Sequence, residues 1–213
     1  IHFVEKVTEA FKKPFIIDRI NIKVTLSIGI AYFKRDAQDV HRLFEKAEQA
    51  MFSAKDNGRN TYEFYSQRLS DKASTEEAFK QSLEFAIDND EFSTVYQPIV
   101  SLKEQSVTKF EVLVRWCHKG TWISPVQFIP IAEKFGLISV IGNIVLNKAC
   151  QELKKLEQVG FTDIVFNVNR SIYEFSTVHN DTLWLDTINK YDLNPASICF
   201  ELTESVLAPE NDR

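Results

Sequence analysis

The feature that most constrains the fold is a pair of strand-like runs with almost nothing between them. STVYQPIVSL (residues 93–102) and VTKFEVLVRW (residues 107–116) are rich in β-branched and aromatic residues, and only residues 103–106 separate them. Parallel neighbours need a crossover of about a dozen residues or more, so these two strands must be antiparallel. Downstream the pattern changes. SPVQFIPIAEKFG (residues 124–136) reads as a helix, with Ser124 as N-cap in a capping box with Gln127, Pro125 at N1, and an apolar stripe of Phe128, Ile131, Ala132 and Phe135 that stops at Gly136. A second helix is predicted from about Ile141 to Val159, ending at Gly160. It is followed by a strand in TDIVFNVN (residues 162–169), a helical stretch at Asp181–Tyr191 and a strand in SICFELTE (residues 197–204). An initial hairpin followed by alternating helices and strands indicates an α/β sheet or barrel. A complete (β/α)8 barrel needs about 250 residues, so residues 92–213 suffice for half of one. Its open edges and apolar faces are expected to be covered by a second copy, another chain or further residues of the same chain.

The preceding residues form a separate α+β unit, predicted over 1–66. HFVEKVTEAFKKPF is amphipathic and helical, and RINIKVTLSIGIAYF is a strand pair or one long strand. VHRLFEKAEQAMFSAKDNGRN carries Val40, Leu43, Phe44, Ala47, Ala50, Met51 and Ala54 at helical spacing, with Gly58 placed to end the helix. TYEFYS is a short last strand. Residues 67–91 read as a helical linker, with Ser74 and Glu77 as a capping box at its start. The chain begins within a helical pattern, without Met, and is read as a piece of a longer protein.

Composition narrows the function. A net charge of −5 argues against DNA or RNA as a partner. No apolar run approaches the ~20 residues of a membrane span, so direct membrane contact is not expected of this segment. Cys117, Cys150 and Cys199 are too few and too scattered for a disulfide framework or a zinc finger, which fits a reducing cytoplasm.

Polar residues then stand out where strands should be apolar. Glu111 interrupts FEVLVRW, Asn167 and Asn169 lie near the end of TDIVFNVN, and Glu201 and Glu204 near the end of SICFELTE. In α/β barrels the C-terminal strand ends build the site. Carboxylates and amide oxygens gathered there suit Mg2+ or Mn2+ better than zinc. For Glu111 the other compensation in view is Arg115, four residues on along the same strand face.

Five blocks, QPI (97–99), EVLVRW (111–116), SPVQFIPIAEKFG (124–136), VNRS (168–171) and ELTES (201–205), resemble the EAL domain in order and spacing. LSIGIA (26–31) and AEQAMFSAKDNGRN (47–60) resemble the C-terminal part of a GGDEF domain. The resemblance implies a partial cyclase-like α+β unit followed by part of a modified (β/α)8 barrel whose first strand is antiparallel. It implies a bacterial, cytoplasmic protein of cyclic di-GMP signalling, with a parent open to membrane anchoring upstream, that hydrolyses cyclic di-GMP to pGpG with two divalent ions. The alternative is a degenerate EAL domain that binds cyclic di-GMP without cleaving it. By resemblance Glu111, Asn169 and Glu201 are metal ligands, and Glu204 holds a catalytic loop. Gln97, Leu113, Arg115 and Pro125 contact the dinucleotide, with Arg115 at a phosphate. Lys55 and Arg59 match positions that bind nucleotide phosphate, with GTP as the ligand implied; without the signature loop the preferred reading is of cations favoured at a helix C-terminus. The signature reads EVL rather than EAL, and Arg170 stands where the family has an apolar residue. The family's later acid pair, lysine, glutamate and glutamine fall outside these residues, so the segment alone is not expected to be catalytic.

Overall fold

The computed structural model describes residues 2–176 and 180–202. The chain divides into two compact units between Ala78 and Phe79, a point inside a continuous helix.

In the first unit, helix α1 (His2–Lys12) precedes an antiparallel hairpin of β1 (Phe15–Ile17) and β2 (Ile20–Ile22). Strand β3 (Ile28–Ile30) leads through α2 (Val40–Asp56) to β4 (Tyr62–Phe64), which pairs parallel with β3. The stretch expected to be a strand pair or one long strand is therefore split between two sheets. Ile22 pairs back to Phe15, whereas Ile28 pairs forward to Tyr62. Asp39 caps α2 by accepting the Arg42 N–H, and the helix ends with Asn57 as C-cap and Gly58 at φ +96°. Gly29 lets β3 lie against α2, because a Cβ there would fall 1.9 Å from the Ala47 carbonyl oxygen.

Helix α3 (Gln67–Asp88) runs without a break. The expected start at Ser74 is not a start. The flanking Asp-Lys-Ala and Glu-Glu-Ala-Phe-Lys segments contain good helix formers and no breaker, so Ser74 lies mid-helix.

The second unit is a mixed sheet in the order β5-β6-β8-β9. β5 (Phe92–Ser101) and β6 (Ser106–His118) are antiparallel, as their short connection required, with one irregularity at Ile99/Val100. β8 (Val165–Arg170) and β9 (Ile198–Leu202) continue the sheet in parallel. A short strand not foreseen, β7 (Thr121–Ile123), folds back on the end of β6. It occupies the β6 edge beyond Val112, the last residue that β8 pairs. Among the described residues the sheet does not close, in keeping with a partial barrel.

Helices α4 (Pro125–Lys134), α5 (Ile138–Gln158) and α6 (Asn180–Lys190) join the strands. Gly136 and Gly160, at φ +72° and +97°, stop the first two. Pro125 opens α4 as expected, but Ser124 makes no side-chain cap; only its backbone carbonyl accepts the N–H groups of Gln127 and Phe128. One continuous core joins Leu83 and Ala86 of α3, Val112 and Trp116 of β6, Phe128 of α4, Leu146 and Cys150 of α5, and Phe166 and Val168 of β8. No described helix is long and apolar enough to cross a membrane.

Candidate functional site

Strand geometry sorts the residues of β6 and β8 onto two faces, since successive side chains alternate. Val112, Trp116, Phe166 and Val168 are buried in the core. The intervening residues therefore share the other face. Register extends that face across the sheet: Gln97 pairs with Glu111, Glu111 with Asn167, and Asn169 with Glu201.

The acids on this face are held by amides from the next strand. Asn169 Nδ2 donates to Glu111 Oε1 at 2.7 Å, and Asn167 Nδ2 donates to Glu201 Oε1 at 2.5 Å. Glu111 is thus compensated across the strand gap and not by Arg115, whose Nη1 donates instead to the Val114 carbonyl at 2.8 Å. Four residues along a strand span about 13 Å, whereas neighbouring strands lie about 4.8 Å apart, so the lateral partner wins. The buried Oδ1 of Asn167 has no hydrogen-bond partner among the described residues. An unpaired buried acceptor between two carboxylates is what a cation would satisfy. The donors are all oxygen, which suits Mg2+ or Mn2+. Among the described residues no three His, Cys, Asp or Glu side chains gather into a metal cluster, so a cation here would draw on amide oxygens as well.

The other expected residues fall around this row. Gln97 is exposed opposite Glu111; Leu113 and Arg115 are half-buried further along β6; Pro125 is half-buried at the start of α4. Leu113, Arg115, Pro125 and Asn169 line one cavity of about 220 Å3, which reaches Glu133, Ser171 and Glu174. Glu204 lies outside the described residues. Lys55 and Arg59 are exposed at the end of α2, with Lys55 Nζ 5.2 Å from the Phe52 ring centroid.

The residue after Asn169 explains its own departure from the family pattern. Arg170 points to the helix side and is fully buried. Its Nη1 donates to Glu174 Oε2 at 2.9 Å, and its guanidinium lies over Trp184 at 4.5 Å. Glu174 Oε1 also accepts the Ser171 N–H at 3.0 Å, while Ser171 Oγ donates to Glu133 Oε1 at 2.7 Å. Burial pushes the Glu174 carboxyl up and the Arg170 guanidinium down from their ordinary values, so desolvation outweighs mutual attraction for both. Gly142 of α5 makes room for the pair, since a Cβ there would meet Glu174 Oε2 at 2.4 Å. Burial likewise raises the Cys150 thiol to about 11, which makes it unreactive. The Glu133–Ser171 contact joins residues 38 apart and had no sequence signal. Asn167 had one, its period-two spacing from Asn169.

The open mixed sheet and its row of carboxylate and amide side chains define an α/β domain with one polar strand face. The chain belongs to the EAL domain family, whose model matches residues 80–213, and residues 1–61 match that of the diguanylate cyclase GGDEF domain. It is 35% identical to the signaling protein YkoW of Bacillus subtilis over 94% of its length. It is 32% identical to the bifunctional diguanylate cyclase/cyclic di-GMP phosphodiesterase MucR of Pseudomonas aeruginosa over 98% of its length. The chain spans 25% and 30% of the lengths of these two relatives. The structure of the MucR phosphodiesterase in complex with c-di-GMP superposes with a TM-score of 0.58 at 30% identity, covering 63% of this chain and 55% of that one.

Proposed function

We propose that the full-length protein is an EAL-type phosphodiesterase that hydrolyses cyclic di-GMP to linear pGpG with Mg2+ or Mn2+, two ions in the complete domain. The observation that supports this most is the pair of cross-strand contacts, Asn169 to Glu111 and Asn167 to Glu201. They set carboxylates beside amide side chains on one open sheet face. The MucR relative, named as a cyclic di-GMP phosphodiesterase, supports the substrate.

In this reading Glu111, Asn169 and Glu201 hold the cation. When bound, a divalent ion supplies Lewis acidity toward the phosphodiester and lowers the pKa of a nearby water. The side chains prepare the rest. Arg115 offsets phosphate charge, Leu113 and Pro125 form apolar walls against the nucleoside, and Gln97 offers hydrogen bonds to it. Glu204, by its resemblance to the family, holds a catalytic loop. Turnover is proposed of the full-length protein. A second copy or the rest of the barrel covers the open face, and Lys55 and Arg59 complement the C-terminal end of the α2 dipole. The setting is the bacterial cytoplasm.

The test is hydrolysis of cyclic di-GMP by the full-length protein with Mg2+ or Mn2+, beside Glu111→Ala. The expected result is pGpG from the wild type and a loss of at least about a hundredfold in the variant. Binding without cleavage by the wild type would make the domain a receptor instead. Neither binding nor cleavage would end both readings.

A further inference from the structure

The three tryptophans of this chain are not alike. Trp116 and Trp184 are 0% and 5% exposed in the core, whereas Trp122 is 66% exposed. Its ring face is open to a ligand, and its value as a site rests on what stands around it.

Trp122 is also rigidly placed. It is the central residue of β7 and pairs with Cys117 of β6. The turn between the two strands is Lys119-Gly120, at φ +49° and +78°. Positive φ at both positions matches the two-residue turn whose twist suits a hairpin, so the strands are held without slack. Cys117 is odd-numbered on β6, on the same face as Glu111, Leu113 and Arg115, and its antiparallel partner shares that face. Trp122 therefore stands at the far end of the row that contains the proposed metal ligands.

Its neighbours suit a nucleobase. Val95, Arg115, Trp122 and Pro125 line an open depression of about 430 Å3. Arg115 and Pro125 also line the cavity that reaches Asn169. An aromatic plane, an apolar wall and a guanidinium next to a polar strand end are what a nucleotide requires: the ring for the base, the cation for its phosphate.

We infer that Trp122 is a base-stacking residue, forming with Pro125 and Val95 a subsite for one guanine of cyclic di-GMP while Arg115 holds the adjoining phosphate. This inference rests on the proposed function and deepens it. Stacking acts on the π-face that every base presents, so Trp122 contributes affinity and not base identity. The contribution is made equally to substrate and transition state, so it appears in KM and not in kcat.

The experiment is equilibrium binding of cyclic di-GMP to the full-length protein in EDTA, with steady-state kinetics in Mn2+, for wild type, Trp122→Phe and Trp122→Ala. Trp122→Ala is expected to weaken binding by about 5- to 150-fold and to raise KM correspondingly with kcat kept. Trp122→Phe should stay within about threefold of wild type, and unchanged Mn2+ affinity in both variants would show an intact domain. Wild-type fluorescence, after subtraction of the Trp122→Phe spectrum, should be quenched by the ligand. Equal affinity of Trp122→Ala and wild type would overturn the inference and leave the proposed function standing. A wild type that does not bind cyclic di-GMP would overturn both.

Discussion

On β6 and β8 the even-numbered residues Val112, Trp116, Phe166 and Val168 meet helices, while the odd-numbered Glu111, Leu113, Arg115, Asn167 and Asn169 face the other way. Both faces belong to the same strands, yet they solve different problems. The helix face is stabilised by removing apolar surface from water, and Phe166 packs there against Tyr96 in a tilted pair and against Phe110 edge to face, with centroids 4.9 and 6.0 Å apart. The open face keeps its acids by lending each an amide from the next strand. The contrast teaches that the period-two pattern makes the fold and the site at once, and that polar residues in a strand are misplaced only when seen from the wrong side.

Arg170 is the exception that tests the contrast most severely, because it is a charge on the core side. Replacing it with leucine leaves the buried Glu174 carboxylate without its cation and should cost about 3–5 kcal/mol. The double variant Arg170→Leu/Glu174→Leu should recover most of that loss. Hydrogen exchange at the β8 amides in rising urea would measure both. A single variant as stable as wild type would mean that the pair is not closed in the folded protein.

Phe166→Ala against Gln97→Ala sharpens the difference between faces. The first opens a cavity among core rings and should cost about 3–5 kcal/mol. The second removes an exposed side chain and should cost no more than about 0.5 kcal/mol while weakening cyclic di-GMP binding. Similar stability losses would erase the distinction between the faces.

The smallest effect lies at the far end of β6. Glu91 accepts hydrogen bonds from Trp116 Nε1 at 3.0 Å and from His118 Nδ1 at 2.8 Å, and these hold its carboxyl below its ordinary value of 4.5. A carboxyl lowered in the folded state stabilises above its unfolded value, and that contribution fades as pH falls through the folded value. The stability difference between wild type and Glu91→Gln should therefore shrink as pH drops below about 4.5. A difference independent of pH from 3 to 7 would refute the coupling.

Much of this was legible beforehand, for local reasons. The antiparallel β5–β6 pair followed from the short connection, and the ends of α4 and α5 followed from glycines that tolerate positive φ. Glu111 was legible as an acid within an apolar strand, and Asn169 and Glu201 as strand-end oxygens, and the structure brings all three onto one face, although Glu111 sits in the middle of β6. What was not legible depends on lateral contacts. Arg115 looked like a partner for Glu111 because it shares a strand, but the amide of Asn169, 58 residues away, is the neighbour. Arg170 read as an unexplained polar residue because its place beneath α5 requires Gly142 and a turn that carries Glu174 back to it. Ser74 misled because a capping box signals a helix start only where something ends the helix before it.

The central claim is that the open face of the sheet is a divalent-cation site. Crystals of the full-length protein grown with Mn2+ and measured for anomalous scattering test it most directly. The account predicts a peak bounded by the side-chain oxygens of Glu111, Asn169 and Glu201. Saturating Mn2+ with no peak on that face, or a peak held by other residues, would contradict it.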